Sequence, residues 1–169
     1  MTDVLGTERL LLRTLAEGDA TFILELVNEP SFIRNVGDKG VRTLADARRY
    51  IAEGPVASYA RHGFGLYLVM MKEAGAPIGM CGLLQRDTLA DPDVGFAFLP
   101  AYRSQGYATE AATAVLAHGR TRLGLARIVA VTSPHNRPSI RVLEKVGLRF
   151  EGMVRLSEDA AEVELYGPE

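Results

Sequence analysis

The segment Asp93-Val-Gly-Phe-Ala-Phe-Leu-Pro-Ala-Tyr-Arg-Ser-Gln-Gly-Tyr-Ala-Thr-Glu110 joins a strand pattern to a tight turn and a helix start. Such a junction can hold an anion. The first turn of a helix presents unpaired backbone N–H groups and the positive end of the dipole, and a glycine at 106 lets the anion approach the main chain. A pyrophosphate suits that arrangement. No Gly-Lys-Ser/Thr follows, so the turn is not a P-loop, and the three glycines of a dinucleotide fingerprint are missing. ATP and NAD are therefore disfavoured.

Other residue types that could do chemistry weigh less. Glu110 could act as a base, but an acid in the first helical turn stabilises the helix by itself, and the structural reading outweighs the catalytic one. Asp91 and Asp93 open the preceding strand. They could accept a proton through water or attract a cationic amine, with Asp87 adding acidity, yet acids beside a turn proline commonly serve only the turn. Cys81 has no base assigned to it and reads as a buried, inert thiol, which rejects an acyl-cysteine route. His62, His118 and His135 lack ligand spacing, so no metal is expected; His135 either lines a pocket beside Asn136 or sits in a solvated loop.

The elements that must position these residues follow from periodicity and punctuation. Glu8 to Thr14 reads as a strand, with Thr14 and Glu17 at capping-box spacing before a helix that runs to about Asn28. In that helix Phe22, Ile23, Leu26 and Val27 share a face, and Glu29-Pro30 stops it. Ser31 to Arg42 is polar and reads as a mobile loop. Thr43 and Asp46 cap a second helix that breaks or kinks at Gly54-Pro55. Strands are expected at Gly65–Met71, Ile78–Leu84 and Asp93–Leu99, and their short connections favour an antiparallel meander. A helix from about Thr109 buries Ala111, Ala112, Val115 and Leu116 and stops at Gly124. A strand at Ile128–Thr132, a short helix from Pro138 to Gly147, and strands at Leu148–Val154 and Glu162–Tyr166 complete the chain.

That order implies an α+β (mixed α/β) layered fold, a largely antiparallel sheet flanked by helices, in a single domain over residues 1–169. The chain has 47% apolar and 24% charged residues, an ordinary globular composition. Its 19 basic and 21 acidic residues are dispersed, which argues against nucleic acid as a partner. No stretch approaches the ~20 apolar residues of a membrane span, so no membrane association is expected. One cysteine and no leader-like start point to a reducing cytoplasm.

Arg103-x-x-Gly106-x-Ala108 resembles the Gln/Arg-x-x-Gly-x-Gly/Ala motif of the GNAT acetyltransferase superfamily. The following Thr-Glu-Ala-Ala and the block Asn136-Arg-Pro-Ser-Ile-Arg-Val-Leu-Glu-Lys-Val-Gly-Leu-Arg-Phe-Glu-Gly152 strengthen the likeness. Thr7 to Arg13 and Glu162 to Tyr166 also resemble the branch containing Rim-type ribosomal-protein alanine N-acetyltransferases. The resemblance implies acetyl-CoA as co-substrate and transfer to a primary amine, either a protein N-terminus or a small molecule, by direct attack of the neutral amine. It implies cofactor contacts from Phe96, Ala97 and Phe98 to the pantetheine arm, and from Arg103, Ser104, Gln105, Gly106, Tyr107, Ala108 and Thr109 to the pyrophosphate. Asn136 would bind near the reactive end, with Ser139 beside it.

The chain departs from the family at Leu143, where many members carry a tyrosine that protonates the leaving thiolate. Ser139, an ordered water or no protein acid at all would take that role. The alternative to an enzyme is a non-catalytic acyl-CoA-binding or sensing module. By analogy with the family, a homodimer is compatible with the sequence.

Overall fold

The computed structural model describes all 169 residues. Five strands, β1 (Asp3–Gly6), β2 (Leu10–Thr14), β3 (Leu66–Met71), β4 (Pro77–Leu84) and β5 (Asp93–Phe98), pair in chain order as an antiparallel meander. A second antiparallel sheet is ordered β6 (Ala130–Thr132), β8 (Val163–Pro168), β7 (Leu148–Val154). The two meet at one place. Asp93 and Val129 form a parallel bridge, in which the Val94 N–H donates to the Val129 carbonyl at 2.8 Å and the Val129 N–H to that of Pro92 at 3.0 Å. Beyond it β5 and β6 go separate ways.

Helices cover both faces of the meander. On one face α1 (Ala20–Val27) and α3 (Leu44–Ile51) enclose a core with Ile23, Leu26, Ala47 and Ile51 against Leu68 and Met80. On the other, α5 (Tyr107–Thr121) and α6 (Arg137–Lys145) bury Ala111, Ala112, Val115, Leu116, Ile140 and Leu143 against Val69, Cys81 and Leu83. Alternation along β3 and β4 sends neighbouring residues to opposite cores, so both strands are buried on both faces and read as nearly continuous apolar runs. Burying a side chain such as Leu116 or Ile23 stabilises the fold by roughly 1.5–3 kcal/mol.

Several expectations are corrected. The strand expected from Glu8 begins at Leu10 and is the second in the sheet, because Thr7 to Arg9 turns the chain back from β1, a four-residue strand whose two apolar residues give little signal. Thr14 and Glu17 do not cap α1. Asp19 is the N-cap residue of α1, but its carboxylate makes no capping bond to that helix; it turns back to accept the Ala16 N–H at 2.9 Å and holds both ends of the Arg13 guanidinium at 2.8 and 2.9 Å. The loop expected over Ser31 to Arg42 contains helix α2 (Pro30–Asn35), since Pro30 both ends α1 and opens the next helix, where its fixed φ is favourable. The capping box of Thr43 and Asp46 forms as expected. Gly54-Pro55 kinks the helix without ending it: a π-helical turn at Ala52–Val56 absorbs the missing N–H, and α4 (Ala57–His62) continues to Gly63 in the left-handed region at φ 80°.

Candidate active site

The parting of β5 from β6 leaves one edge of β5 without a strand partner. In an antiparallel sheet the N–H and C=O of a residue point to the same side and alternate along the strand. Val94 bonds across the bridge and Leu99 bonds back to Ile78 on β4, so Phe96 and Phe98 turn their main-chain groups toward the open cleft. The Phe98 carbonyl is taken by Arg103, whose Nε and Nη2 donate to it at 3.1 and 2.9 Å. The groups of Phe96 remain available.

The turn from β5 to α5 is built from a short 3-10 segment, Pro100–Tyr102, and two residues with left-handed backbone, Ser104 at φ 61° and Gly106 at φ 84°. Gly106 is the N-cap of α5 and has no side chain to cap the first turn, so those N–H groups face the cleft. A Cβ at 106 would also meet the Arg9 guanidinium at 3.3 Å. Arg9 is a positioning residue that the sequence did not reveal. Its Nη1 donates to the Gln105 carbonyl at 3.1 Å, its Nε to Glu110 at 2.7 Å, and its guanidinium lies 4.3 Å from the Tyr107 ring centroid. Burial alone would raise the Glu110 carboxyl, but hydrogen bonds from Thr7 and Arg9 outweigh it and hold it below its usual value. That environment makes Glu110 an anchor for the turn and a poor base.

Across the cleft, Asn136 caps α6, accepting the Ser139 N–H on Oδ1 at 3.4 Å. A cavity of about 510 Å³ lies between these walls, lined on one side by Phe96, Ala97 and Phe98 and on the other by Asn136 and Ser139. Arg103, Ser104, Gly106, Tyr107, Ala108 and Thr109 line its mouth. Gln105 does not: its amide turns away to the Ala101 carbonyl at 2.9 Å. Leu143 is 2% exposed and lies in the core, not in the cavity.

Sequence reasoning missed the roof. Leu26, Ser31, Phe32, Asn35 and Val36, from α1 and α2, close the far side of the cavity. Arg103 Nη2 donates to Ser31 Oγ at 2.7 Å, and Ser133 Oγ to the Asn35 carbonyl at 3.4 Å, so α2 is tied to both walls. No pattern in the polar stretch after Pro30 announces this contact. The acids stand elsewhere: Asp91 pairs with Arg127 at 3.1 Å and buried Asp93 with Arg86 at 3.0 Å, while Asp87 is exposed, and none of the three lines the cavity. Burial pushes the Asp93 carboxyl up, with Arg86 pulling the other way.

A sheet parted at one strand edge, with an uncapped helix start at the mouth of the cleft, accords with the motif at Arg103 to Ala108. Residues 9–149 match the family model of the acetyltransferase (GNAT) domain, and the chain belongs to that family. It is a GNAT N-acetyltransferase. The chain is 29% identical over 149 residues to the uncharacterized N-acetyltransferase YnaD of Bacillus subtilis (strain 168), covering 88% of this chain and 84% of the relative. Among solved structures it resembles the acetyltransferase of Agrobacterium tumefaciens str. C58 at 26% identity and TM-score 0.82, covering 98% and 93% of the two chains. It also shares its fold with RimL, the ribosomal L7/L12 α-N-protein acetyltransferase solved in complex with coenzyme A, at 18% identity and TM-score 0.84, covering 98% and 96%.

Proposed function

We propose that residues 1–169 act as one domain that moves the acetyl group of acetyl-CoA to the α-amine of a peptide or protein N-terminus bearing uncharged, apolar first residues. The observation that carries the acceptor reading is the cavity wall. Leu26, Phe32 and Val36 present apolar surface, Ser31 and Asn35 offer polar contacts suited to a peptide bond, and Arg103, Arg141 and Lys145 are the only charged residues in the lining. A polycationic amine gains nothing from such a wall, because it needs carboxylates to offset its desolvation. A neutral small-molecule monoamine is the second reading that the same wall favours.

In this reading the amide-rich arm of the cofactor pairs with the open edge of β5, as an added strand would. The pyrophosphate meets the backbone N–H groups from Ser104 to Thr109. The amine nitrogen attacks the thioester carbonyl carbon, the C–S bond breaks, the nitrogen gives up one proton, and the thiolate takes one. Main-chain N–H groups at the parting stabilise the oxyanion, a contribution typically worth a few kcal/mol per donor. Ser139, which lines the cavity and whose backbone N–H is capped by Asn136, supplies the proton to sulfur in the absence of a tyrosine at 143.

The first test is thermal unfolding with and without acetyl-CoA. At about 100 times its dissociation constant the ligand adds ~2.7 kcal/mol to the folded state, so a clear upward shift is expected, and no shift overturns the donor assignment. Next, kcat/KM is compared for peptides with Ala- or Ser-initiated apolar N-termini and for spermidine and an aminoglycoside. The peptides are expected to lead by roughly ten-fold or more, the factor corresponding to ~1.4 kcal/mol of discrimination. The reverse ranking sinks the acceptor assignment while leaving the donor assignment intact.

A further inference from the structure

Arg141 and Lys145 stand one helical turn apart on α6, both exposed and both lining the cavity. None of the nine ion pairs in the molecule includes either residue, and Glu144, between them in sequence, pairs with neither. Like charges at this spacing repel and weaken a helix. Lys145 also reaches a second groove, about 560 Å³, along the outer face of α5 with Thr109, Thr113 and Ala117; Glu110, the one acid in that groove, is held by Arg9 and Thr7. The two cavities share Gly106, Thr109 and Lys145, so a ligand that leaves the first at the helix start enters the second beside the lysine.

The other cations near this junction are engaged. Arg103 is held by the Phe98 carbonyl and Ser31, and Arg9 by Glu110 and the Gln105 carbonyl. A diphosphate at the start of α5 is served by backbone N–H groups and the helix dipole, and does not require a side-chain cation. A phosphomonoester is different. It approaches two negative charges at neutral pH and is matched by two cations, the planar fork of an arginine with the point charge of a lysine.

We propose that Arg141 and Lys145 form a subsite for a phosphomonoester set apart from the diphosphate, namely the 3′-phosphate on the ribose of CoA, and that this subsite makes the enzyme select CoA over 3′-dephospho-CoA. The proposal rests on the acetyl-CoA reading above. Binding of CoA and of 3′-dephospho-CoA is measured by calorimetry on the wild-type protein, on Arg141→Ala/Lys145→Ala and on Lys145→Arg, with circular dichroism confirming the fold of each. The wild-type protein is expected to favour CoA by roughly ten-fold or more, as loss of charge-assisted bonds implies. The double variant is expected to bind the two ligands within about two-fold of each other, with its affinity for 3′-dephospho-CoA unchanged, and Lys145→Arg to keep most of the preference. Equal wild-type affinities overturn the proposal, as does a double variant that loses both ligands equally, which would place these cations on the diphosphate. If the wild-type protein binds neither ligand, the donor reading itself has failed, a distinct result.

Discussion

At the scale of single residues, two positions decide how the motif works. Gly106 combines a left-handed backbone with a seat at the mouth of the cavity. Gly106→Glu is expected to abolish acetyl-CoA binding by bulk and like charge. Gly106→Asn, which tolerates that backbone better, is expected to keep the fold and weaken binding partially. Retained affinity in a folded Gly106→Glu protein, read by calorimetry, would remove the anion site from this turn. Leu143 carries the opposite lesson. A tyrosine at 143 would force a larger ring into a filled core, at about 1–3 kcal/mol. Leu143→Tyr is therefore expected to lower the melting temperature with no gain in kcat. A ten-fold rise in kcat would show that position 143 does face the thioester.

At the scale of elements, the most exacting junction lies between β2 and α1, where Asp19 receives Arg13 and the Ala16 amide. Burial raises the Asp19 carboxyl, but those bonds outweigh it and leave it below its ordinary value of 3.8. A carboxyl depressed in the folded state contributes stability that is present above pH 3.8 and lost as pH falls through the folded value. Asp19→Asn is thus expected to cost about 1–2 kcal/mol at pH 7 in urea unfolding, with the gap to wild type closing only as pH falls below 3.8. A gap that stays constant with pH would mean that the charge does not matter. Thr14 and Glu17 have the spacing of a cap, whereas the turn before α1 is closed by the Asp19 carboxylate, recognised only once Arg13 and Ala16 are seen beside it. The same distinction separates what could be read from what could not. The turn from Arg103 to Ala108, the meander and α5 are local patterns in one stretch of chain. The α2 roof, the Arg9 anchor and the tie from Arg103 to Ser31 span 72 to 101 residues of sequence, and no window contains both partners.

At the scale of the whole molecule, β3 and β4 form the floor of two cores at once, and Cys81 sits in that floor at 0% exposure. Burial pushes its thiol well above the ordinary range. It is expected to resist an aromatic disulfide reagent in the native state and to react only as fast as the protein opens globally, so its labelling rate should follow unfolding measured by fluorescence or circular dichroism. Rapid labelling would reveal a local opening of the sheet. The parted edge of β5 has a consequence of another kind. Unpaired strand edges are where chains stick to one another, and proteins commonly blunt them with charge, proline or a covering element. Here the main chain of Phe96 is set back between α2 and α6, a recess that another protein's strand, with a side chain at every residue, enters poorly and a slim unbranched thread enters well. The molecule thus keeps an adhesive edge without offering it to its neighbours.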